Sequence, residues 1–190
     1  MMRVMLIDED NERGQILREG LEQAGHEVIL EPKSTLNLAR LVAELAPDVI
    51  IIDVDSPDRD MLEHLCVVTQ DAPRPVVMFS ADGDSAKIRE AVRAGVSAYI
   101  VDGLSAARVQ PIIDVAIARF EVLQSLRNEL ADAQSELASR KQIERAKGIL
   151  MQRKGLSEEE AYRCLRKMAM DENLKLAEIA DQIIRASKLL

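Results

Sequence analysis

The chain has 190 residues, a net charge of −8, 47% hydrophobic residues and 2% aromatic residues. That length fits one ordinary domain plus a smaller module, and the apolar content excludes global disorder and demands an aliphatic core. No apolar run approaches the roughly 18–20 residues that a bilayer requires, and Met1-Met2-Arg3-Val4 reads straight into a strand with no secretory leader, so a soluble cytosolic protein is expected.

Val4-Met5-Leu6-Ile7 is a short apolar run ending in acids. Ile16, Leu17, Gly20, Leu21 and Ala24 follow at helical spacing, with Gly25 as a helix stop. Glu27-Val28-Ile29-Leu30 predicts a strand, and Leu38, Leu41, Val42 and Leu45 predict a helix face stopped by Pro47. Val49-Ile50-Ile51-Ile52 is the wholly apolar kind of strand that is buried on both faces. A helix over about 60–70, the strand Val76-Val77-Met78-Phe79, a helix over about 84–94 ending at Gly95 and the strand Ala98-Tyr99-Ile100-Val101 complete a repeated βα alternation. Such alternation predicts a five-stranded parallel sheet with helices on both faces, in the flavodoxin-like order 2-1-3-4-5, with its site at the carboxyl ends of the strands.

From Ser105 no further strand is predicted. Ile112, Ala116, Leu123, Leu126, Leu130, Ala133 and Leu137 recur at three- and four-residue steps, interrupted at Arg119, and predict a long helix over 105–138 that pairs with another helix as a coiled coil. The expected division is 1–118 for the α/β domain and 139–190 for a small all-α domain of three helices, the long helix overlapping the end of the first. In the last segment the break is Gly155-Leu156-Ser157, and Ser157 with Glu160 forms a capping box. Its expected core is Ile143, Ala146, Ile149, Leu150, Ala161, Leu165, Met168, Leu176, Ile179, Ile183 and Ile184. Cys66 and Cys164 lack CxxC or metal-ligand spacing and are expected as buried thiols.

The chemistry concentrates where the acids fall. Asp8, Glu9 and Asp10 follow the first strand, while Asp53 ends the third and Asp55 comes two residues later. In the predicted sheet the first and third strands are neighbours opening on one edge. Two like charges ~4 Å apart repel by about 4 kcal/mol at an effective dielectric of about 20, so the cluster asks for a divalent cation, and oxygen-only ligands suit Mg²⁺. Ser80 ends the fourth strand, placed to meet an oxyanion, and Tyr99 stands on the fifth.

Leu6-Ile7-Asp8-Glu9-Asp10, Ile52-Asp53-Val54-Asp55-Ser56-Pro57, Phe79-Ser80-Ala81 and Ala98-Tyr99-Ile100 together resemble the receiver domain of two-component response regulators, over residues 2–118. The resemblance implies Mg²⁺ held by Asp8, Glu9 and Asp53, phosphoryl transfer to Asp53, and a switch pair of Ser80 and Tyr99. The sequence departs from that pattern where receivers carry Lys then Pro after the fifth strand: here stand Asp102 and Gly103. That lysine would pair with the phosphoryl group, and a hydrogen bond to a charged group is worth roughly 1.5–3 kcal/mol. The expectation is an acidic pocket that remains while phosphorylation is weak or is not the main signal.

The charge is uneven: residues 1–119 carry a net −9, residues 120–138 a net −3 and residues 139–190 a net +4. An acidic chain is no generic nucleic-acid binder, and a modestly basic module suits a shaped target better than a bare duplex. Arg140-Lys141-Gln142-Ile143-Glu144-Arg145-Ala146-Lys147-Gly148-Ile149-Leu150-Met151, then Ala161-Tyr162, Leu165-Arg166-Lys167-Met168-Ala169-Met170 and Ile179-Ala180, resemble the ANTAR domain, the RNA-binding module of AmiR- and NasR-type transcription antiterminators. The resemblance implies a dimer, each copy taking one of two paired hairpins in a leader transcript and thereby favouring read-through of a terminator. Tyr162 is the only aromatic residue of the module and the candidate for stacking on a base; Lys147, Arg153, Arg166 and Lys167 are the candidate phosphate or base contacts.

Ser56-Pro57-Asp58-Arg59-Asp60 with Val101-Asp102-Gly103 further resembles regulators of nitrate and nitrite assimilation of the NasT type, which implies a nitrate-sensing protein partner. No Ser/His/Asp or Cys/His constellation is present, His26 and His64 stand alone, and neither an enzyme nor an organic cofactor is expected. A DNA-binding response regulator and a receiver–coiled-coil adaptor remain the alternative readings.

Overall fold

A computed structural model describes residues 1–8, 11–30, 38–102 and 105–187. In chain order it contains β1 (Arg3–Asp8), α1 (Asn11–Gln23), β2 (Glu27–Leu30), α2 (Leu38–Leu45), β3 (Val49–Val54), α3 (Arg59–Asp71), β4 (Val76–Ser80), α4 (Ser85–Arg93), β5 (Ala98–Val101), α5 (Ala106–Lys154), α6 (Glu158–Glu172) and α7 (Leu176–Ser187). The chain divides into two compact units, Met1–Gln124 and Ser125–Leu190.

The first unit is built on a parallel sheet of order β2-β1-β3-β4-β5. Its apolar runs are continuous because both faces are covered. Met5, Ile7, Ile50, Ile52, Val76 and Met78 pack with α2, α3 and α4 through Leu38, Val42, Leu65, Val68 and Ala91. The alternate residues Val4, Leu6, Val49, Ile51, Val77 and Phe79 pack with α1 and the start of α5 through Leu17, Leu21, Val109, Ile113 and Ala116. A period of two along each strand therefore feeds two separate aliphatic cores. Gly20 is where α1 meets α5: a Cβ there would lie 2.9 Å from Ala106 Cα.

The second unit packs the end of α5 against α6 and α7, and every residue expected in its core takes part. Gly155, with φ of +66°, ends α5, and its amide donates to the Met151 carbonyl at 3.0 Å. Ser157 and Glu160 form the expected capping box of α6. Asn173, at φ of +54°, is the left-handed cap that closes it. There is no helix boundary near Ser139. The residues from Glu121 to Lys154 contain no proline and are rich in Leu, Ala, Arg, Glu, Gln and Lys, all strong helix formers, so the linking helix and the first helix of the module are one. Cys66 and Cys164, expected to be buried, are half-buried free cysteines at the margins of their cores. Among the described residues no helix is long and apolar enough to cross a membrane.

Candidate functional site

The strand order brings the acids together as expected. β1 and β3 are hydrogen-bonded neighbours, and Asp8 and Asp53 are register partners at their carboxyl ends. Asp53 is 2% exposed and Asp8 half-buried. Space for the Asp8 carboxylate comes from α1, where a Cβ built on Gly14 would collide with Asp8 Oδ2. Glu9, the third expected ligand, lies outside the described residues, as does Gly103. Among the described residues no group of three or more potential ligands forms a metal site. Asp8 and Asp53 would offer only oxygen donors, the kind that suits Mg²⁺, and the missing Cβ of Gly14 leaves room for the Asp8 carboxylate.

Ser80 ends β4 beside Val54 of β3 and is fully buried. Its hydroxyl donates to the Asp55 carbonyl at 2.9 Å and accepts from the Asp82 amide at 3.1 Å. Tyr99, on β5, is half-buried, and its hydroxyl donates to the Asp82 carbonyl at 2.9 Å. Both residues expected to form the switch thus meet at Asp82, a residue that no local sequence motif marks. The Asp82 carboxylate is equally engaged. Oδ2 accepts from Ser56 Oγ at 2.7 Å and from Lys87 Nζ at 2.7 Å, and Oδ1 accepts from the Asp84 amide at 2.9 Å. Lys87 also donates to Ser56 Oγ at 2.6 Å. The Lys87 ammonium, then the Asp84 amide and the Ser56 hydroxyl, hold the Asp82 carboxyl far below the usual carboxylate range, and Asp82 in turn raises Lys87. The sequence offered one hint, an Asp two residues beyond Ser80 and five before a lysine; the link to Ser56 spans 26 residues.

Asp102 stands at the end of β5 in the left-handed region, φ +53°, with an exposed side chain and its amide donating to the Ser80 carbonyl at 3.3 Å. The cation bridging the loops after β3 and β4 is Lys87, from α4.

In the second unit the five expected RNA contacts separate into two groups. Lys147 departs from the expectation: it is 8% exposed, and its ammonium is held by Glu144 at 2.8 Å and Glu158 at 2.7 Å. It bridges α5 to the first turn of α6, because a buried ammonium requires carboxylate partners. Arg153 is exposed but donates to the Ser187 carbonyl at 2.8 Å, closing the C-terminal end of α7. Tyr162 and Arg166, one turn apart on α6, line a common groove. Arg166 and Lys167 enter no ion pair or hydrogen bond among the described residues, whereas the neighbouring Arg163 pairs with Glu159 at 3.6 Å.

Comparison with known proteins matches both units. A family model described as the response regulator receiver domain matches residues 4–114, and one described as the ANTAR domain matches residues 131–184. The chain is 28% identical over 182 residues to the transcriptional regulatory protein PdtaR of Mycobacterium tuberculosis, covering 96% of this chain and 89% of that protein. It is 45% identical over 67 residues to the nitrate regulatory protein of Klebsiella oxytoca, covering 35% of this chain and 17% of that protein. Among solved structures, the receiver domain of a modulated diguanylate cyclase from Desulfovibrio desulfuricans G20 superposes with a TM-score of 0.57 at 19% identity, over 64% of this chain and 98% of that one. The receiver domain of NarL from Mycobacterium tuberculosis gives 0.53 at 21% identity, over 60% and 95%. Both of these structural likenesses concern the fold alone.

Proposed function

The chain belongs to the response regulators, a receiver domain followed by an ANTAR domain, and on that premise we propose that it is an RNA-binding transcription antiterminator. The observation that carries the reading is the coincidence of the ANTAR match with a compact helical unit whose exposed aromatic, Tyr162, lines a groove with Arg166, a cation without an ion pair among the described residues. Such a surface suits unpaired bases flanked by phosphates better than the edges of a duplex. The protein takes paired hairpins of a leader transcript, and binding favours the structure that lets polymerase pass the terminator.

Two copies act together. Leu123, Leu126, Leu130 and Leu137 follow one another at heptad-like steps along α5 and all are exposed. An unpaired apolar seam of this spacing pairs with a second copy as a coiled coil, placing one hairpin on each module.

The receiver controls the output. Asp53 is the phosphoacceptor, and Mg²⁺ held by Asp8 and Asp53 with Glu9 would offset the charge of a phosphodonor. Ser80 and Tyr99, tied through Asp82, are the groups that rearrange. With Asp102 in place of a lysine, phosphorylation is the weaker input and a regulatory protein partner the stronger. The similarity to the Klebsiella oxytoca nitrate regulatory protein supports nitrate and nitrite assimilation genes as the target and a nitrate sensor as that partner.

The test is a gel shift of the full chain with a two-hairpin leader RNA from a nitrate-assimilation operon, a loop-scrambled version and duplex DNA of the same sequence. Binding to the first alone is expected. Equal binding to DNA would replace the reading with a DNA-binding regulator, and absence of any shift with an adaptor.

A further inference from the structure

The groove on α6 has a volume of about 360 Å³ and is open along one side of the helix. Tyr162, Arg166 and Met170 recur every four residues and so stand in one row on it. Asn173 then reverses the chain in its left-handed conformation, and the Leu174 amide donates to the Ala169 carbonyl at 3.0 Å, which sets Leu174 as the far wall. Tyr162 is 41% exposed, Met170 76% and Leu174 37%. These three large apolar side chains are thus gathered in one small concavity although the core of the unit is formed without them. Arg166 lines the same groove, and its guanidinium enters no ion pair or hydrogen bond among the described residues.

We propose that this groove is a receptor for one unstacked RNA base, with Tyr162 as the stacking platform, Arg166 as the cation beside it and Asn173 as the reader of the base edge. The inference rests on the RNA-binding reading above and specifies where a loop base goes. A partner helix would need a longer apolar trough, and a peptide side chain would leave the guanidinium without an anion. A nucleotide satisfies all parts together. Its base offers a face to the phenol ring and to the Met170 thioether, and its phosphate pairs with Arg166. Asn173, which also lines the groove, carries a donor pair and an acceptor, which match the mixed edge of a base. Because any base has a face to stack, Tyr162 supplies affinity while Asn173 supplies preference.

The test uses the full chain and RNA hairpins with a constant stem and a randomised loop. Hairpins selected by the parent protein are remade with an abasic site at each loop position in turn, and with 2-aminopurine at the position that matters most. Base stacking on an aromatic ring is worth roughly an order of magnitude or more in affinity. One abasic position should therefore weaken binding to the parent by about tenfold or more. Tyr162→Ala should lose a similar factor and become indifferent to that same abasic site, while Tyr162→Phe stays close to the parent. Asn173→Gly, which keeps the left-handed cap, should change which base is preferred at that position. Met170→Ala, at a wall residue outside the core, should reproduce part of the Tyr162→Ala loss and guards against a folding artefact. The 2-aminopurine signal should change on binding to the parent and to Tyr162→Phe, and not to Tyr162→Ala. If Tyr162→Ala binds like the parent and keeps the abasic penalty, the groove is not the receptor although RNA binding stands. If the parent selects no hairpin at all, the RNA reading and this inference fall together.

Discussion

Tyr99 and Asp82 are bound through the hydroxyl of one and the carbonyl of the other at 2.9 Å, and the amide of the same Asp82 donates to Ser80 at 3.1 Å. Ser80 and Tyr99 are therefore linked through a single residue. The loop containing that residue is pinned from outside by Lys87 and Ser56.

Removing the pin should release the aromatic. In Lys87→Ala and Asp82→Ala the Tyr99 hydroxyl loses its fixed acceptor position, and the fluorine resonance of a fluorotyrosine at 99, assigned with Tyr162→Phe, should shift and broaden while the receiver stays folded. An unchanged resonance would mean that the loop holds itself. The pH dependence follows from the two shifts. Asp82 is depressed from an ordinary 3.8, so its contribution is present above that value and is lost as pH falls through its lower folded value. Lys87 is raised from 10.5, so its contribution is present below that value and is lost as pH rises through its higher folded value. Between these limits the Tyr99 resonance should not move through any titration of this pair.

Asp102 should make the receiver a poor phosphoacceptor. Incubation with acetyl phosphate and Mg²⁺, followed by intact-mass measurement, should give slow and partial modification, abolished in Asp53→Asn. Rapid and near-complete modification accompanied by tighter RNA binding would show that the missing lysine is immaterial.

Gly14→Ala tests the acidic cradle. The new methyl group collides with Asp8 Oδ2, so the carboxylate must turn away. A helical Gly-to-Ala change by itself favours the helix by roughly 0.8–1 kcal/mol, so the fold should survive. Mg²⁺ affinity, read by calorimetric titration, should fall by about tenfold, the scale of one weakened charge-assisted contact. Retained affinity would remove Asp8 from the proposed ligand set.

Lys147→Met should lower the melting temperature of the helical unit by a few degrees and affect RNA affinity less than Arg166→Ala does, with both compared below the melting transition. Glu158 is depressed from 4.5 by Lys147, and Lys147 is raised from 10.5 by Glu144 and then Glu158. The pair contributes fully between those values and is lost as pH falls through the folded Glu158 value or rises through that of Lys147. An RNA defect for Lys147→Met equal to that of Arg166→Ala, with no change in melting, would return Lys147 to the RNA surface.

What the sequence determined by itself is local or periodic. Val49-Ile50-Ile51-Ile52 has no polar residue to turn toward water, so it had to be a strand covered on both faces, and the βα alternation around it leaves few ways to wind a sheet. Ser157 and Glu160, three residues apart, form their box from the chain's own turn geometry. Asp8 and Asp53 could be paired in advance because each lies at or next to the carboxyl end of its strand and the strand order makes them neighbours. The continuity of α5 was not visible, since a change of apolar face near Ser139 imitates a boundary although nothing in the backbone breaks the helix. Tertiary structure alone decided the fate of the charges. Lys147 and Arg166 are both helical cations in the sequence, but Lys147 is buried where α6 starts and must take Glu158, 11 residues away, whereas among the described residues no carboxylate pairs with Arg166. Asp82 became the junction of the receiver edge in the same way, through Ser56 and Tyr99, 26 and 17 residues distant. Hydrophobic burial depends on patterns that run along the chain, but an ion pair depends on which side chains the fold brings within about 3 Å.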